Sequence, residues 1–140
     1  MDKNNERIET AAVKIGDKMP DGTVYAGISL DTGKPTYTTL ASAPLTMTFY
    51  EAGKYVAKMN KEKTLSHDDW RLPTEGDLSM LFNHRADIGN FGLSSSAKSC
   101  LYWSDKLIKQ DDLAILKDFR TGEFVVDCAA SYKHSVRCVR

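Results

Sequence analysis

The histidines are the first residues to test for chemistry, because an imidazole can bind a metal or move a proton near neutral pH. His67, His84 and His134 stand far apart in the 140-residue sequence. No His-Glu-x-x-His run places two of them on one helix face with a general base between them. The sequence therefore predicts no metal site, and we expect His134 to be exposed in the last loop.

Paired carboxylates occur at Asp68-Asp69 and at Asp111-Asp112. Carboxylates that act as acid and base must converge on one bond from different environments, whereas neighbours on an extended chain point apart. Both pairs are interpreted as solvated turn charges. The nucleophile elbow and the phosphate-binding loop are also missing from the sequence. We predict that the protein is not an enzyme and uses no cofactor.

The three cysteines are Cys100, Cys128 and Cys138, and no pair has the spacing of a zinc knuckle or a thioredoxin-like motif. If the strand ending at Cys128 pairs with the strand at 135–140, three residues of strand separate Cys128 from Cys138. That offset is about 10 Å, which is too far for a disulfide. We expect buried, reduced thiols, although a shifted register would reopen the question of a bridge.

Composition indicates one soluble globular domain, with 41% hydrophobic and 27% charged residues. Nineteen basic residues offset nineteen acidic ones, so no global field favours nucleic acid or an anionic membrane. The polar start at residues 1–10 does not resemble a signal peptide, and no segment is long enough to span a bilayer. We expect a cytoplasmic protein, or a virion protein if a phage encodes it; a leader removed from the chain would leave the same pattern.

Sequence patterns predict a flexible arm at residues 1–11 and a single domain at 12–140. Strand signals cover Thr23 to Leu30 and Pro35 to Leu40, and helices are predicted from Thr48 and over Glu75 to His84. A capping box at Thr48 and Glu51 marks the first helix start. Three late strands, at 113–119, 123–128 and 135–139, are predicted to form a meander. Two helices followed by an antiparallel sheet indicate an α+β fold.

Three short blocks of sequence stand out. They are Asp69 to Thr74 (DWRLPT), Leu101 to Asp105 (LYWSD) and Ser135 to Arg140 (SVRCVR). In this order they resemble the C-terminal domain family of the Legionella collagen-like adhesin, which belongs with the C-type-lectin-like folds. The resemblance covers about residues 13 to 140. It implies a C-type-lectin-like domain whose two helices pack on an antiparallel sheet. We predict Trp70, Leu72, Leu81 and Trp103 as core residues.

The same superfamily contains enzymes and calcium-dependent lectins, and their site residues are missing here. Formylglycine-generating enzymes use two close cysteines for copper, and sulfoxide synthases need a His-x-His pair. Sugar-binding lectins hold calcium through a Glu-Pro-Asn type loop, which has no counterpart beside Trp103-Ser104-Asp105. One aspartate cannot supply the six or more oxygens that calcium requires.

The resemblance places the ligand surface between the Tyr-Trp-Ser strand and the last block. In this sequence that segment runs from Asp105 to His134, where loops can vary without unfolding the sheet that holds them. The predicted ligand-binding residues are Asp105, Lys106, Lys109, Gln110, Arg120, Glu123, Tyr132, Lys133 and His134. Aromatic and arginine side chains supply much of the energy of protein interfaces, so Arg120 and Tyr132 are the strongest of these candidates.

Three functional hypotheses follow. The first is a non-catalytic recognition module that binds a protein or glycan through these loops, as a phage or bacterial adhesin or receptor-binding protein. The second is an intracellular protein-binding inhibitor encoded by a mobile element, which reduced thiols would suit. The third is a degenerate enzyme of the formylglycine-generating type. The sequence favours the first and leaves the oligomeric state open.

Overall fold

A computed structural model of the chain describes residues 13–92 and 100–140, so the predicted arm at residues 1–11 lies outside the described residues. Strands β1 (Val24–Ile28) and β2 (Pro35–Thr38) form an antiparallel hairpin. Helix α1 (Phe49–Lys61), a 3-10 turn (Thr64–Ser66) and helices α2 (Glu75–Asn83) and α3 (Arg85–Ile88) follow. Strands β3 (Leu101–Ile108), β4 (Leu113–Asp118) and β5 (Phe124–Ala129) make an antiparallel sheet in that order. These elements confirm the α+β class; the lectin-like type and the domain bounds stay predictions.

Both long helices begin at a capping box. The Thr48 side chain accepts a hydrogen bond from the Glu51 backbone N–H, and the Glu51 carboxylate accepts one from the Thr48 N–H. The prediction for α1 is therefore confirmed. Thr74 and Asp77 make the same reciprocal pair at the start of α2, directly after Pro73. Each box satisfies two backbone donors that a helix end would otherwise leave open, which fixes where each helix starts.

Two clusters of buried side chains lie on opposite faces of the β3–β5 sheet. Neighbouring residues on a strand point to opposite faces, so Trp103 enters one cluster and Tyr102 the other. Helix α1 contributes Ala52 and Met59 to the cluster that contains Trp103. Helix α2 contributes Leu78 and Leu81, among others, to the cluster that contains Tyr102. The sheet is thus covered by a helix on each face.

The predicted core residues are largely confirmed. Trp70 is 2% exposed, and Leu81 and Trp103 are fully buried, whereas Leu72 is only half-buried. Each indole also finds a polar partner: Trp70 Nε1 donates to the Thr64 carbonyl at 2.9 Å and Trp103 Nε1 to the Met47 carbonyl at 2.7 Å. Buried tryptophans usually satisfy their N–H in this way, which adds orientation to burial.

The predicted pairing of the last strand with β5 is wrong. Ser135 instead bonds to β3, where its carbonyl accepts from Trp103 N–H and its N–H donates to the Leu101 carbonyl. Val139 then pairs with Arg71 on one side and with Thr38 of β2 on the other. Residues 134–140, called the C-terminal segment below, therefore join the β1–β2 hairpin to the three-stranded sheet. A hairpin between nearby strands was the simplest local pattern, but the chain crosses to the opposite edge of the sheet.

None of the three cysteines forms a disulfide within the described part of the chain. Cys100 and Cys138 are 0% and 2% exposed, and Cys128 is half-buried. Burial raises the pKa of the Cys138 thiol to about 12. The register from which the separation of Cys128 and Cys138 was argued is not the one that forms, so the expectation of reduced thiols stays a prediction.

A buried carboxylate ties α2 to the segment before it and to the end of β1. Asp77 is 0% exposed and accepts hydrogen bonds from Ser29 Oγ at 2.7 Å, from the Thr74 N–H at 3.0 Å and from Arg71 Nη1. Burial alone would raise the pKa of Asp77, but these donors outweigh it and hold the pKa below its ordinary value. The ionised form is therefore the one that the fold selects.

Truncation of Trp103 tests the central role of its cluster. Trp103→Ala removes a fully buried indole and its bond to Met47, so we expect the free energy of unfolding in urea to fall by about 3 to 5 kcal/mol. Tyr132→Ala is the matched control, because Tyr132 is 63% exposed, and surface changes usually stay within about 0.5 kcal/mol. Equal stability of the two variants would contradict the assignment.

Replacement of Asp77 tests the buried carboxylate. Asp77→Asn leaves Arg71 and the Thr74 N–H facing an amide, and we expect a loss of about 2 to 3 kcal/mol at pH 7. Because the folded-state pKa lies below the ordinary 3.8, the stabilisation is complete above that pH and disappears as the pH falls through the folded-state value. Urea unfolding at several pH values should show that the free energies of unfolding of the parent and of Asp77→Asn converge below about pH 4. A difference that is constant over this range would contradict the prediction.

Candidate ligand-binding surface

The structure divides the predicted ligand-binding residues among three separate regions and buries one of them. The first region lies where the β3–β4 turn and the turn after β5 meet the start of α1. The Ala130 N–H donates to the Asp112 carbonyl at 3.0 Å, and the Phe49 N–H donates to the Ala130 carbonyl at 3.0 Å. These bonds bring four exposed predicted residues to one end of the sheet, called the sheet-end surface: Lys109, Gln110, Tyr132 and Lys133.

Arg120 and Glu123 lie at the opposite end of the sheet, in the β4–β5 hairpin. Strand β4 separates the two ends by its six residues, roughly 17 Å. Arg120 donates to both Asp118 carboxylate oxygens, at 3.2 Å from Nε and 3.0 Å from Nη2, and this contact holds the pKa of Asp118 below its ordinary value. One small epitope therefore cannot contain both Arg120 and Tyr132.

Asp105 and Lys106 form the third region, beside the start of α2. The Asp105 N–H donates to the Pro73 carbonyl at 2.9 Å, and Lys106 Nζ lies 3.9 Å from Glu75 Oε1. Both side chains are exposed. A bulge in β3 between Trp103 and Leu107 turns this part of the strand away from β4. These two residues face a different part of the molecule from either sheet end.

The expectation that His134 is exposed is wrong. It is 7% exposed, and its ring packs edge-on against Trp103 with 5.1 Å between ring centroids. Its backbone pairs with Met47 through two hydrogen bonds of 2.9 Å, and Nε2 lies 3.3 Å from Cys128 Sγ. The C-terminal segment causes this burial, because it starts at His134 by crossing to Met47 instead of returning along β5.

A groove that the sequence did not predict runs along α1. It lies between the helix and the irregular segment 39–47 and consists of two clefts of about 220 and 350 Å³. Tyr55 and Lys58 line both clefts, so the two clefts are neighbours along α1. This α1 groove is lined by Thr39, Ala41, Ala43, Leu45, Thr46, Met47, Glu51, Lys54, Tyr55, Lys58, Met59, Glu62, Thr64, Lys133 and Cys138.

The α1 groove combines an apolar floor with a positive rim at the end nearer the sheet-end surface. Lys54, Lys58 and Lys133 line that end against one carboxylate, Glu51. The Thr48 backbone N–H and the nearby lysines hold the pKa of Glu51 below its ordinary value, so this carboxylate is ionised and engaged in the helix cap. Leu45 on the opposite wall is 75% exposed. The groove can therefore accept a chain that carries both negative charge and apolar side chains.

Part of this groove could have been predicted from the sequence. Lys54 and Lys58 stand four residues apart on a helix whose start was correctly predicted, and such residues share one face. Leu45 is an apolar residue beside Pro44 in a segment with no helix or strand pattern. What the sequence did not show is that residues 39–47 pack beside α1, because that placement depends on the C-terminal segment.

Among residues 13–92 and 100–140, no group of three or more His, Cys, Asp or Glu side chains could hold a metal ion. No helix within these ranges is long and apolar enough to cross a membrane.

Comparison with known families agrees with the three sequence blocks. The family model described as the Lcl C-terminal domain matches residues 28–140, which is most of the chain. The chain belongs to the Lcl C-terminal domain family. No curated protein matches the chain significantly.

Membership of the Lcl C-terminal domain family associates the chain with adhesins as a module. The matched range contains α1, both walls of the α1 groove, the sheet-end surface and the C-terminal segment. Which partner a member with these residues binds, and whether it works in the cytoplasm or on a virion, stay predictions.

The separation of the two sheet ends can be tested by NMR in this Lcl C-terminal domain. We expect Tyr132→Ala to shift backbone amide resonances in residues 109–112 and at the start of α1, and to leave residues 119–123 unchanged. Arg120→Ala should do the reverse, because its contacts are to Asp118 in the hairpin. Shared shifts at both ends would show that the two regions respond as one surface.

Proposed function

We propose that this Lcl C-terminal domain is a non-catalytic recognition module that binds an acidic, partly apolar segment of a protein partner in the α1 groove. The observation that carries the proposal is the presence of two adjacent clefts along α1, with three lysines at one end and apolar side chains in the floor. The sheet-end surface borders that end, because Lys133 belongs to both.

Charge and apolar contact have separate roles in such a site. Lysines at a rim attract an acidic chain from solution and speed its association, and salt weakens this effect. The energy of the bound state comes mainly from side chains that lose water in the floor, where Tyr55, Met59 and Ala43 lie. A helix face beside an extended segment suits a peptide-like ligand laid along the groove.

A protein segment fits the groove better than a sugar ring. Sugars bind through stacking on exposed aromatic faces, and both tryptophans of the chain are buried. The exposed aromatic side chains at this end are Tyr50 and Tyr132, and the Tyr50 hydroxyl is held by Asp112. Tyr132 flanks the groove beside Lys133, where it can contact a partner that extends past the end of α1.

A peptide array with matched sequences tests this function. Peptides of 12 residues that combine Glu or Asp with Leu and Phe are compared with versions in which Gln and Asn replace the acids. We expect the acidic set to bind with an affinity that falls as salt rises, whereas the neutral set binds weakly. Fluorescence polarisation with the best peptide then gives the dissociation constant. Equal binding of acidic and neutral peptides would contradict the proposal, as would retention of glycans alone on a parallel glycan array.

Charge reversal locates the site. Lys54→Glu with Lys58→Glu should weaken binding of the best peptide by about tenfold or more, because both side chains line the rim. Lys14→Glu with Lys18→Glu is the control: it changes the net charge equally on exposed residues outside the groove. Both variants should keep the parent melting temperature. Equal loss of affinity in the two variants would show that overall charge causes the effect. It would contradict peptide binding in the α1 groove.

A further inference from the structure

Cys128 and His134 form a pair that the proposed recognition function does not use. Cys128 Sγ lies 3.3 Å from His134 Nε2, within hydrogen-bond distance for sulfur. The two residues are six positions apart, one near the end of β5 and the other at the start of the C-terminal segment. The turn at residues 130–133 brings their side chains together.

The backbone and the ring of His134 each have a fixed contact. Two backbone hydrogen bonds of 2.9 Å fix His134 to Met47, and the Trp103 ring packs edge-on against the imidazole. A nucleophile and a base in contact, with the base oriented by a third group, is the arrangement that activates cysteine in proteins. The thiolate is the reactive form, and a neighbouring imidazole that can accept the proton favours it.

The two other thiols are buried. Cys100 is 0% exposed, and Cys138 is 2% exposed with its pKa raised to about 12 by burial. Cys128 is half-buried, on a strand whose bulge sets residues 126 and 127 against Ile115 of β4. Its cross-strand partner is Ala114, and the residue packs against the cluster that contains Trp103. Cys128 is nonetheless the most exposed of the three cysteines, so a small reagent reaches it before the other two.

We propose that Cys128 is a thiol modification site, at which His134 promotes exchange with a low-molecular-weight disulfide. The thiol proton passes to His134 Nε2, and Cys128 Sγ attacks one sulfur of the disulfide. A new sulfur–sulfur bond forms as the old one breaks. The leaving thiolate then takes the proton from the imidazolium. One disulfide and one protein thiol thus become one mixed disulfide and one small thiol, with no other oxidant or reductant required.

The full chain with glutathione disulfide as the probe tests this assignment. After partial reaction, peptide mapping by mass spectrometry should find the glutathione adduct on Cys128, while Cys100 and Cys138 remain thiols. Cys128→Ser should abolish the adduct on the folded protein. An adduct mainly on Cys100 or Cys138 would overturn the proposal.

The role of His134 needs a kinetic test that does not depend on one variant. The rate of exchange with 5,5′-dithiobis(2-nitrobenzoate) is compared between the folded chain and the chain unfolded in urea, where all three thiols are exposed. We expect folded Cys128 to react about tenfold faster than the average unfolded thiol. A folded thiol that is exposed but not activated by His134 would react no faster than an unfolded thiol. That result would contradict the proposed role of His134.

His134→Gln gives the second arm, because glutamine keeps a hydrogen-bond donor but cannot take up the proton. If this variant keeps the parent melting temperature, its Cys128 should react about tenfold more slowly than the parent thiol. An unchanged rate in the folded variant would overturn the role of His134. If the variant does not fold, the comparison of folded and unfolded parent chains decides. These readouts do not involve peptide binding, so their outcome is independent of the α1 groove.

Discussion

The buried guanidinium of Arg137 is the interaction on which the arrangement of the loops depends. Arg137 is 0% exposed, and it donates to the Thr39 carbonyl from Nε at 3.2 Å and from Nη2 at 2.7 Å. Nη1 donates to the carbonyls of Gly89 and Asn90 at 3.1 and 3.3 Å, and the group lies over the Phe91 ring. A buried charge is costly unless its donors are satisfied. Here the donors are satisfied only if three separate segments converge.

Burial lowers the pKa of Arg137 to about 10. The side chain therefore stays charged at neutral pH and still requires hydrogen-bond acceptors. The segments that it gathers are the one after β2, the one after α3 and the C-terminal segment itself. With Arg137 in place, Ala43 and Met47 bond to the carbonyls of Val136 and His134. These bonds hold residues 39–47 beside α1. The position of residues 39–47, which form one wall of the α1 groove, thus depends on the hydrogen bonds of the buried Arg137 guanidinium.

Local signals in the sequence were enough for the two long helices, α1 and α2. A capping box is complete within four residues, so Thr48 and Glu51 could mark the start of α1 without any tertiary information. Burial of both tryptophans followed from their size and from the blocks that contain them. The pairing of the last segment was different, because its partners at Met47, Arg71 and Thr38 lie far away in the sequence. His134 was misplaced for the same reason, and so was the grouping of Arg120 with Tyr132. The residues of the ligand surface were partly identified, but their distribution over both ends of the sheet depends on non-local register.

The α1 groove has one regular wall and one irregular wall. Helix α1 keeps its shape through its own backbone bonds, and its inward residues Ala52 and Met59 belong to the core. The facing wall at 39–47 is held by backbone groups and by Arg137, while its side chains at Ala41, Leu45 and Thr46 take little part in the core clusters. Substitutions at those side chains would change the shape and polarity of the groove at small cost to folding. Relatives that share this backbone could therefore diverge in the partners they select while they keep the same stability.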